Sequence, residues 1–291
     1  IGVDEEKQNP ADFVLWKQAE EGLTWDSPWG RGRPGWHIEC SAMSMDALGK
    51  TFDIHGGGID LKFPHHENEI AQSVCATGED FAKCWMHTGP LRIDKEKMSK
   101  SLDNFITIKE AINTFPPEVI RFFLISNHYR SPINYSEEGV LEAKNSLDRL
   151  YTSLVDLDLT GEKPTDQAKV VSPFTEAMQD DFNVPSAIAA LFEIAKSINL
   201  AKENGDIKQA NILGATLVNL SEPLGILQQK TEEYFRIGAT LSDEEIQNLI
   251  DARNKAREDK NFELSDQIRD SLLERGIVLE DTDKGTTWKV R

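Results

Sequence analysis

Cysteine is nearly absent from this 291-residue chain: Cys40, Cys75 and Cys84 are the only three, an odd number confined to the first third. That excludes a disulfide framework and leaves reduced thiols or metal ligation. Long hydrophobic runs are missing too, since no uninterrupted apolar stretch approaches the roughly 20 residues that cross a bilayer. The opening IGVDEEKQNPADF is acidic where a secretory signal needs a cationic segment and then an apolar one, so a cytoplasmic protein with no membrane partner is expected. Positive charge is scarce, with 32 Lys+Arg against 50 Asp+Glu and a formal net charge of −18. Non-specific electrostatic life on nucleic acid is thereby disfavoured, although a local basic surface stays open. No internal repeat or low-complexity tract occurs. Hydrophobic residues at 39% and charged residues at 28% give the balance of a globular chain, long enough for one large domain or two to three ordinary ones.

The chain opens on Ile1 and runs into Phe13-Val14-Leu15-Trp16 without an evident domain start, which reads as a fragment or a processed chain. Residues 1–34 carry Pro28, Gly30, Gly32 and Pro34 among polar residues and read as loop, with Trp16, Trp25 and Trp29 expected to pack onto a larger body. From Gly35 the texture changes. The spacing predicts a helix over 37–48 with Ile38, Ala42, Met45 and Leu48 on one face, a strand over 51–55, a glycine turn, and a helix opened by Pro64. This alternation is that of an α/β sheet domain. After Ile106 apolar residues recur near every 3.6 positions through Leu220, which predicts a helical bundle with a loop at 157–172 and a linker at 228–242. The remainder predicts two short helices and two strands, a small α+β module of net charge −4 over 237–291.

Five of the six histidines (His37, His55, His65, His66, His87) and all three cysteines lie between residues 37 and 87. His65 and Glu69 are four apart on one helix candidate, so their side chains leave consecutive turns in the same direction. With Cys40 they offer a thiolate, an imidazole and a carboxylate, a donor set zinc accepts. By spacing alone, a surface His–Glu hydrogen bond and a buried, inert thiol are the commoner outcome of such a pattern. Gly56-Gly57-Gly58 before Asp60 lets a ligand approach the backbone, or is simply a glycine turn. Lys95, Lys97 and Lys100 place three cations in six residues of an acidic chain, interleaved with Ser99 and Ser101, which suits a phosphate-gripping loop or a solvated one.

Lys97-Met98-Ser99-Lys100-Ser101 resembles the KMSKS loop of class I aminoacyl-tRNA synthetases. Together with Gly35-Trp36-His37-Ile38-Glu39-Cys40-Ser41-Ala42-Met43, Phe52-Asp53-Ile54-His55-Gly56-Gly57-Gly58 and Phe63-Pro64-His65-His66-Glu67-Asn68-Glu69, the whole chain is similar to the cysteinyl-tRNA synthetase family. The resemblance implies an ATP-dependent ligase that activates cysteine to cysteinyl-adenylate, releases pyrophosphate, and esterifies tRNA(Cys). It implies one Zn²⁺ held by Cys40, His65 and Glu69 and selecting the substrate thiolate, with ATP accompanied by Mg²⁺. Lys100 is implied to stabilise phosphate charge with help from Lys97 and Ser99, Asp60 and His55 to contribute to the nucleotide site, and Trp36 to line the amino-acid pocket. The implied architecture is an incomplete α/β Rossmann-like catalytic region (1–115), a helical bundle contacting the tRNA (116–236) and a small α+β C-terminal anticodon-recognition module (237–291).

The chain departs from the family pattern at two points. No His-x-Gly-His occurs, so the HIGH signature is absent, and so is the cysteine ahead of it that supplies a fourth zinc ligand. The expectation is therefore the C-terminal part of such an enzyme, needing the missing N-terminal segment as its companion for activity. Two other readings compete. A zinc-dependent cysteine ligase of thiol biosynthesis shares the catalytic blocks but has no use for the terminal module. A non-catalytic tRNA-binding fragment would use only that end, where Arg253, Lys255, Arg257, Lys260 and Arg269 either face phosphates or pair with Glu258, Asp259, Glu263 and Asp270.

Overall fold

A computed structural model describes residues 7–93, 96–97, 106–282 and 285–290, the side chains of Glu96, Lys97 and Thr282 excepted. The chain divides into two compact units, Ile1–Met98 with Tyr129–Asn134, and Ser99–His128 with Tyr135–Arg291. In the first unit, β1 (Trp16–Gln18) and β2 (Gly32–Pro34) form an antiparallel pair inside the stretch expected to be loop. The glycines that suggested loop are what permit the strand contact. A Cβ on Gly32 would lie 2.3 Å from the Lys17 carbonyl oxygen, and one on Gly35 would lie 2.2 Å from that of Val14. Trp16 and Trp29 pack on each other with ring centroids 6.4 Å apart, and Trp25 and Trp29 are exposed.

Helix α1 (Trp36–Leu48) leads to β3 (Phe52–Gly58), a turn at Ile59–Leu61, a π-type turn over Lys62–His66, α2 (Glu67–Thr77) and β4 (Ala82–Thr88). Strands β3 and β4 are parallel, in register from Phe52↔Ala82 to Gly58↔Thr88. The expected strand thus continues through the three glycines in place of turning at them. Their missing side chains let other groups close in, for a Cβ on Gly57 would meet the His66 ring at 2.9 Å. The apolar face expected on α1 is not its buried one: Leu48 is exposed, and Ser41 is the residue that is fully buried. Ser41 accepts from Gln72 Nε2 (2.5 Å) and from the Ser73 hydroxyl (2.9 Å), so α1 meets α2 through paired polar groups. A small aromatic core of Phe52, Phe81 and Ala82, with Met45 and Trp85 against it, lies beneath. Strand β5 (Leu91–Ile93) pairs with β6 (Glu96–Lys97) and β7 (Ile133–Tyr135).

The second unit is helical, with α3 (Ile108–Thr114), α4 (Pro117–Ile125), α5 (Glu137–Leu154), α6 (Ala168–Gln179), α7 (Val184–Glu203) and α8 (Ile207–Ser221). Several starts are written in the sequence: Thr107 with Glu110 closes a capping box, Pro117 opens α4, and Ser136, Asn183 and Asp206 cap their helices by accepting a backbone N–H. Helix α6 begins inside the expected loop and carries Pro173 within it, so the proline does not mark its start. Helix α7 is long and apolar enough, by length and composition, to cross a membrane, although Glu193 and Lys196 interrupt its apolar run. Its Ala187, Ile188, Leu191, Ile194, Ala195, Ile198 and Ala201 are buried in the bundle. The expected linker holds α9 (Thr231–Arg236), anchored by Tyr234 stacked 3.7 Å over Tyr151. The terminal module follows with α10 (Asp243–Glu258), α11 (Phe262–Glu274) and the antiparallel strands β8 (Ile277–Thr282) and β9 (Gly285–Val290) around Ile246, Ile250, Leu272 and Ile277.

Candidate metal centre

The π-type turn and α2 run continuously, so the four-residue spacing of His65 and Glu69 places both on one side, facing α1. Cys40 lies on the facing turn of α1. The donor atoms of Cys40, His65 and Glu69 lie within 4.8 Å of one another. Glu69 is fully buried, its Oε2 3.6 Å from His65 Nε2, and its Oε1 has no hydrogen-bond partner. A buried carboxylate oxygen left without a partner is costly unless a cation completes it. Sulfur, nitrogen and oxygen donors at this spacing fit zinc. Burial pushes the Glu69 carboxyl up to about 7, and burial followed by the Glu69 charge pushes the Cys40 thiol up, opposed in part by a hydrogen bond with the Trp36 side chain.

Histidines that spacing did not assign to the centre surround it. His37 Nδ1 lies 2.6 Å from His65 Nδ1, His55 Nε2 lies 3.1 Å from Glu69 Oε2, and His66 Nδ1 lies 2.9 Å from His87 Nε2. His55 and His66 form a second potential ligand group with the same Glu69. Burial first, and the neighbouring imidazoles second, push His66 down to about 4 and His65 in the same direction. Both shifts favour the neutral ring, the form in which imidazole binds a metal or relays a hydrogen bond. Apart from the resemblance, which assigned His55 to the nucleotide site, the sequence signal for them was the crowding of histidine between residues 37 and 87.

Trp36 is 60% exposed, and its ring stacks on His65 at 4.5 Å and 27°. His55 points at Glu69, and Asp60 sits in the turn just after β3, its Oδ1 2.5 Å from where a Cβ on Gly58 would stand. Of the lysine loop, the backbone of Lys97 pairs with Arg92 in β6, while Ser99 and Lys100 lie outside the described residues. Cys75 and Cys84 are exposed and away from the donor group. In the terminal module Arg253 is buried and, with Arg257, pairs with Asp281, while Arg269 pairs with Asp266 and Asp270. Arg253 is thus a structural cation rather than one facing phosphate.

Residues 1–145 match the model of the class I (C) tRNA synthetase catalytic domain, 173–228 that of the DALR domain, and 241–288 that of the cysteinyl-tRNA ligase anticodon binding domain. A solved LeuRS from Agrobacterium radiobacter K84, in a ternary complex with tRNA and LeuAMS, is similar in fold with a TM-score of 0.54 and 18% identity, over 83% of this chain and 38% of that one. The chain belongs to the class I aminoacyl-tRNA synthetases, with a catalytic domain followed by a helical C-terminal region. Curated relatives named cysteine–tRNA ligase are 55% identical over 99% of this chain in Methylococcus capsulatus, and 54% identical over 100% of it in Ectopseudomonas mendocina. Within that class the chain is a member of the cysteinyl-tRNA synthetase family, and it spans 63% of the length of these relatives.

Proposed function

We propose that this chain is the part of a cysteine–tRNA ligase that selects the cysteine thiol and holds the tRNA. The observation that carries the reading is the buried group of Cys40, His65 and Glu69, with its orphaned carboxylate oxygen, in a chain of this family. Zinc bound by these three residues supplies a Lewis-acidic seat that favours a thiolate over the hydroxyl of serine. The chain's own groups prepare that seat. With the Nε2 lone pair of His65 toward the donor cluster, its Nδ1–H donates to His37 Nδ1, which would fix the ring's tautomer and direction. Trp36, stacked on His65, walls one side of the amino-acid pocket. Lys100, assisted by Lys97 and Ser99, stabilises charge on the phosphates of ATP and its Mg²⁺ while the adenylate forms, chiefly by electrostatics and positioning. Asp60, in the turn after the glycine strand, contributes to the nucleotide site, whereas His55, expected to share that role, is turned to Glu69 and supports the metal group instead.

The domain reading that goes with this function is a Rossmann-like catalytic region over 1–115, a bundle over 116–236 that meets the tRNA, and an anticodon-reading module over 237–291, in a cytoplasmic enzyme. The match of 241–288 to an anticodon binding domain favours a tRNA substrate over the small amine of a thiol-biosynthesis ligase. The test is cysteine-dependent exchange of pyrophosphate into ATP, together with charging of tRNA(Cys). Both are measured for this chain alone and after mixing with the segment of its relatives that it does not span. Exchange and charging on mixing, abolished by Lys100→Ala, are expected. Exchange without any tRNA dependence of product would support the ligase of thiol biosynthesis, and no exchange in the mixture would overturn the enzymatic reading.

A further inference from the structure

Across α1 and α2 the fully buried side chains are Ser41, Glu69 and Ser73, and none of them is apolar. The helices that bring Cys40 to His65 and Glu69 are therefore joined at their buried contact by directional bonds instead of an apolar seam. Gln72 Nε2 donates to the Ser41 hydroxyl at 2.5 Å and to the His37 carbonyl, and the Ser73 hydroxyl donates to Ser41 Oγ at 2.9 Å. These contacts bracket the thiol. His37 precedes Cys40 by three positions and Ser41 follows it directly, while Gln72 and Ser73 stand one helical turn beyond Glu69. The His37 carbonyl can only accept, which fixes the amide with its nitrogen toward α1. Gln72 Oε1 is left buried and without a partner among the described residues. A buried acceptor left unmet is costly, and the amide bears that cost while committing both of its N–H donors to α1. His37 is also the residue whose ring meets His65 Nδ1 at 2.6 Å. One side chain thus holds the stretch of α1 that carries both the thiol and the imidazole partner of His65.

From this arrangement we propose that Gln72 and Ser73 are positioning residues of the metal centre: their clasp on His37 and Ser41 sets the separation of α1 and α2 and keeps the Cys40 sulfur at binding distance from a cation held by His65 and Glu69. Hydrogen bonds suit this task because their lengths and angles are narrow, whereas apolar contact is non-directional and lets a helix slide. Ligands have to sit within about 0.5 Å of the productive geometry, so a small slide of α1 is enough to detach the sulfur. The inference rests on the metal reading of Cys40, His65 and Glu69 above. It adds the residues that keep the sulfur ligand in place, and explains why two helices beside that group meet through hydroxyls and an amide.

The probe is Co²⁺, which accepts zinc's donors and reports a bound thiolate through a sulfur-to-cobalt charge-transfer band, titrated into the 291-residue chain. Affinity is read by competition with a chelator, and the band is expressed per bound cobalt. Gln72→Met keeps the volume and removes both donors, and Ser73→Ala removes the hydroxyl. Each is expected to bind cobalt roughly 10- to 100-fold more weakly, the range for groups that stand behind metal ligands, and to show a smaller band per cobalt. Thr77→Ala controls for a merely structural loss. It removes the hydroxyl that donates to the Ser73 carbonyl at 2.8 Å and accepts from the Glu79 N–H at 3.2 Å, at the end of α2 away from the clasp. Its expected effect is lower thermal stability with affinity and band unchanged. Native affinity and band in both clasp variants, losses in Thr77→Ala equal to theirs, or weaker binding with an undiminished band per cobalt would each overturn the proposal and leave the metal reading standing. A native chain without a thiolate band, or a band retained in Cys40→Ala, overturns the metal reading and this inference with it.

Discussion

Arg253 of α10 grips Asp281 of β8 with a two-pronged hydrogen bond, Nη1 to Oδ1 and Nη2 to Oδ2, each 2.8 Å long. The pair ties the terminal helix hairpin to the terminal strands, and Thr286 adds a hydroxyl to the same carboxylate at 2.8 Å. Hydrogen bonds from Arg253 first and Thr286 second hold the Asp281 carboxyl well below the usual carboxylate range. An acid depressed in the folded state binds more protons when unfolded. Its stabilisation is therefore complete above about pH 4 and is lost as pH falls toward the folded value.

Asp281→Asn is accordingly expected to cost about 1–2 kcal/mol at pH 7, a modest figure because the carboxylate is about half exposed. Urea unfolding of both proteins at pH 7 and pH 3 checks it. The difference between them shrinks at the lower pH, and a difference that grows on acidification would refute the assignment.

Glu118 of α4 is buried and satisfied by three donor groups, one from α5 and two from the 227–229 segment. The Tyr151 hydroxyl lies 3.0 Å from both its oxygens, Gln229 Nε2 donates at 2.7 Å, and the Leu227 N–H donates at 2.6 Å. Tyr151→Phe removes one donor while leaving the stack on Tyr234, and is expected to cost about 1–2 kcal/mol. Glu118→Leu, which strands the Tyr151 hydroxyl and the Leu227 N–H together, costs more. Chemical denaturation of the two variants gives the order, and the reverse order would show that the network is not what holds α4 to the 227–229 segment.

The backbone of β3 packs against the imidazole cluster at Gly57. A methyl there would stand 2.9 Å from His66 Cε1 and 3.0 Å from both His66 Nε2 and Leu61 Cδ1. Gly57→Ala is expected to push the His66 ring aside and to destabilise the chain by about 1–3 kcal/mol through overpacking. The histidine ring signals of His66 and His87 in an NMR spectrum should shift together, since the two rings lie 2.9 Å apart in a hydrogen bond. Unmoved signals would show that the strand yields instead.

The group of Cys40, His65 and Glu69 was legible in the sequence because its geometry is local: helical spacing sets His65 over Glu69, and only Cys40 must be brought from another element. The bundle was legible for the same reason, its 3.6-residue pattern being a property of each helix alone. The β1–β2 pair was hidden because the glycines that let its strands approach are also the mark of a loop. The buried face of α1 was hidden because Ser41 and Ser73 satisfy each other, and no apolar pattern announces a contact made by hydroxyls. Tyr234 turned an apparent linker into an anchored helix through a partner 83 positions away, Tyr151, which no local pattern reveals. The surrounding histidines were visible only as crowding, because their pairing links β3, β4, α1 and α2 across tens of residues.

The most direct test is the metal content of the purified chain by elemental analysis, for the native sequence, Cys40→Ala and Glu69→Gln. One zinc per chain in the native protein, lost in Cys40→Ala and reduced in Glu69→Gln, is the predicted result. A native chain without zinc after metal-replete purification, or zinc retained in full by Cys40→Ala, would contradict the assignment of this buried group as the metal centre.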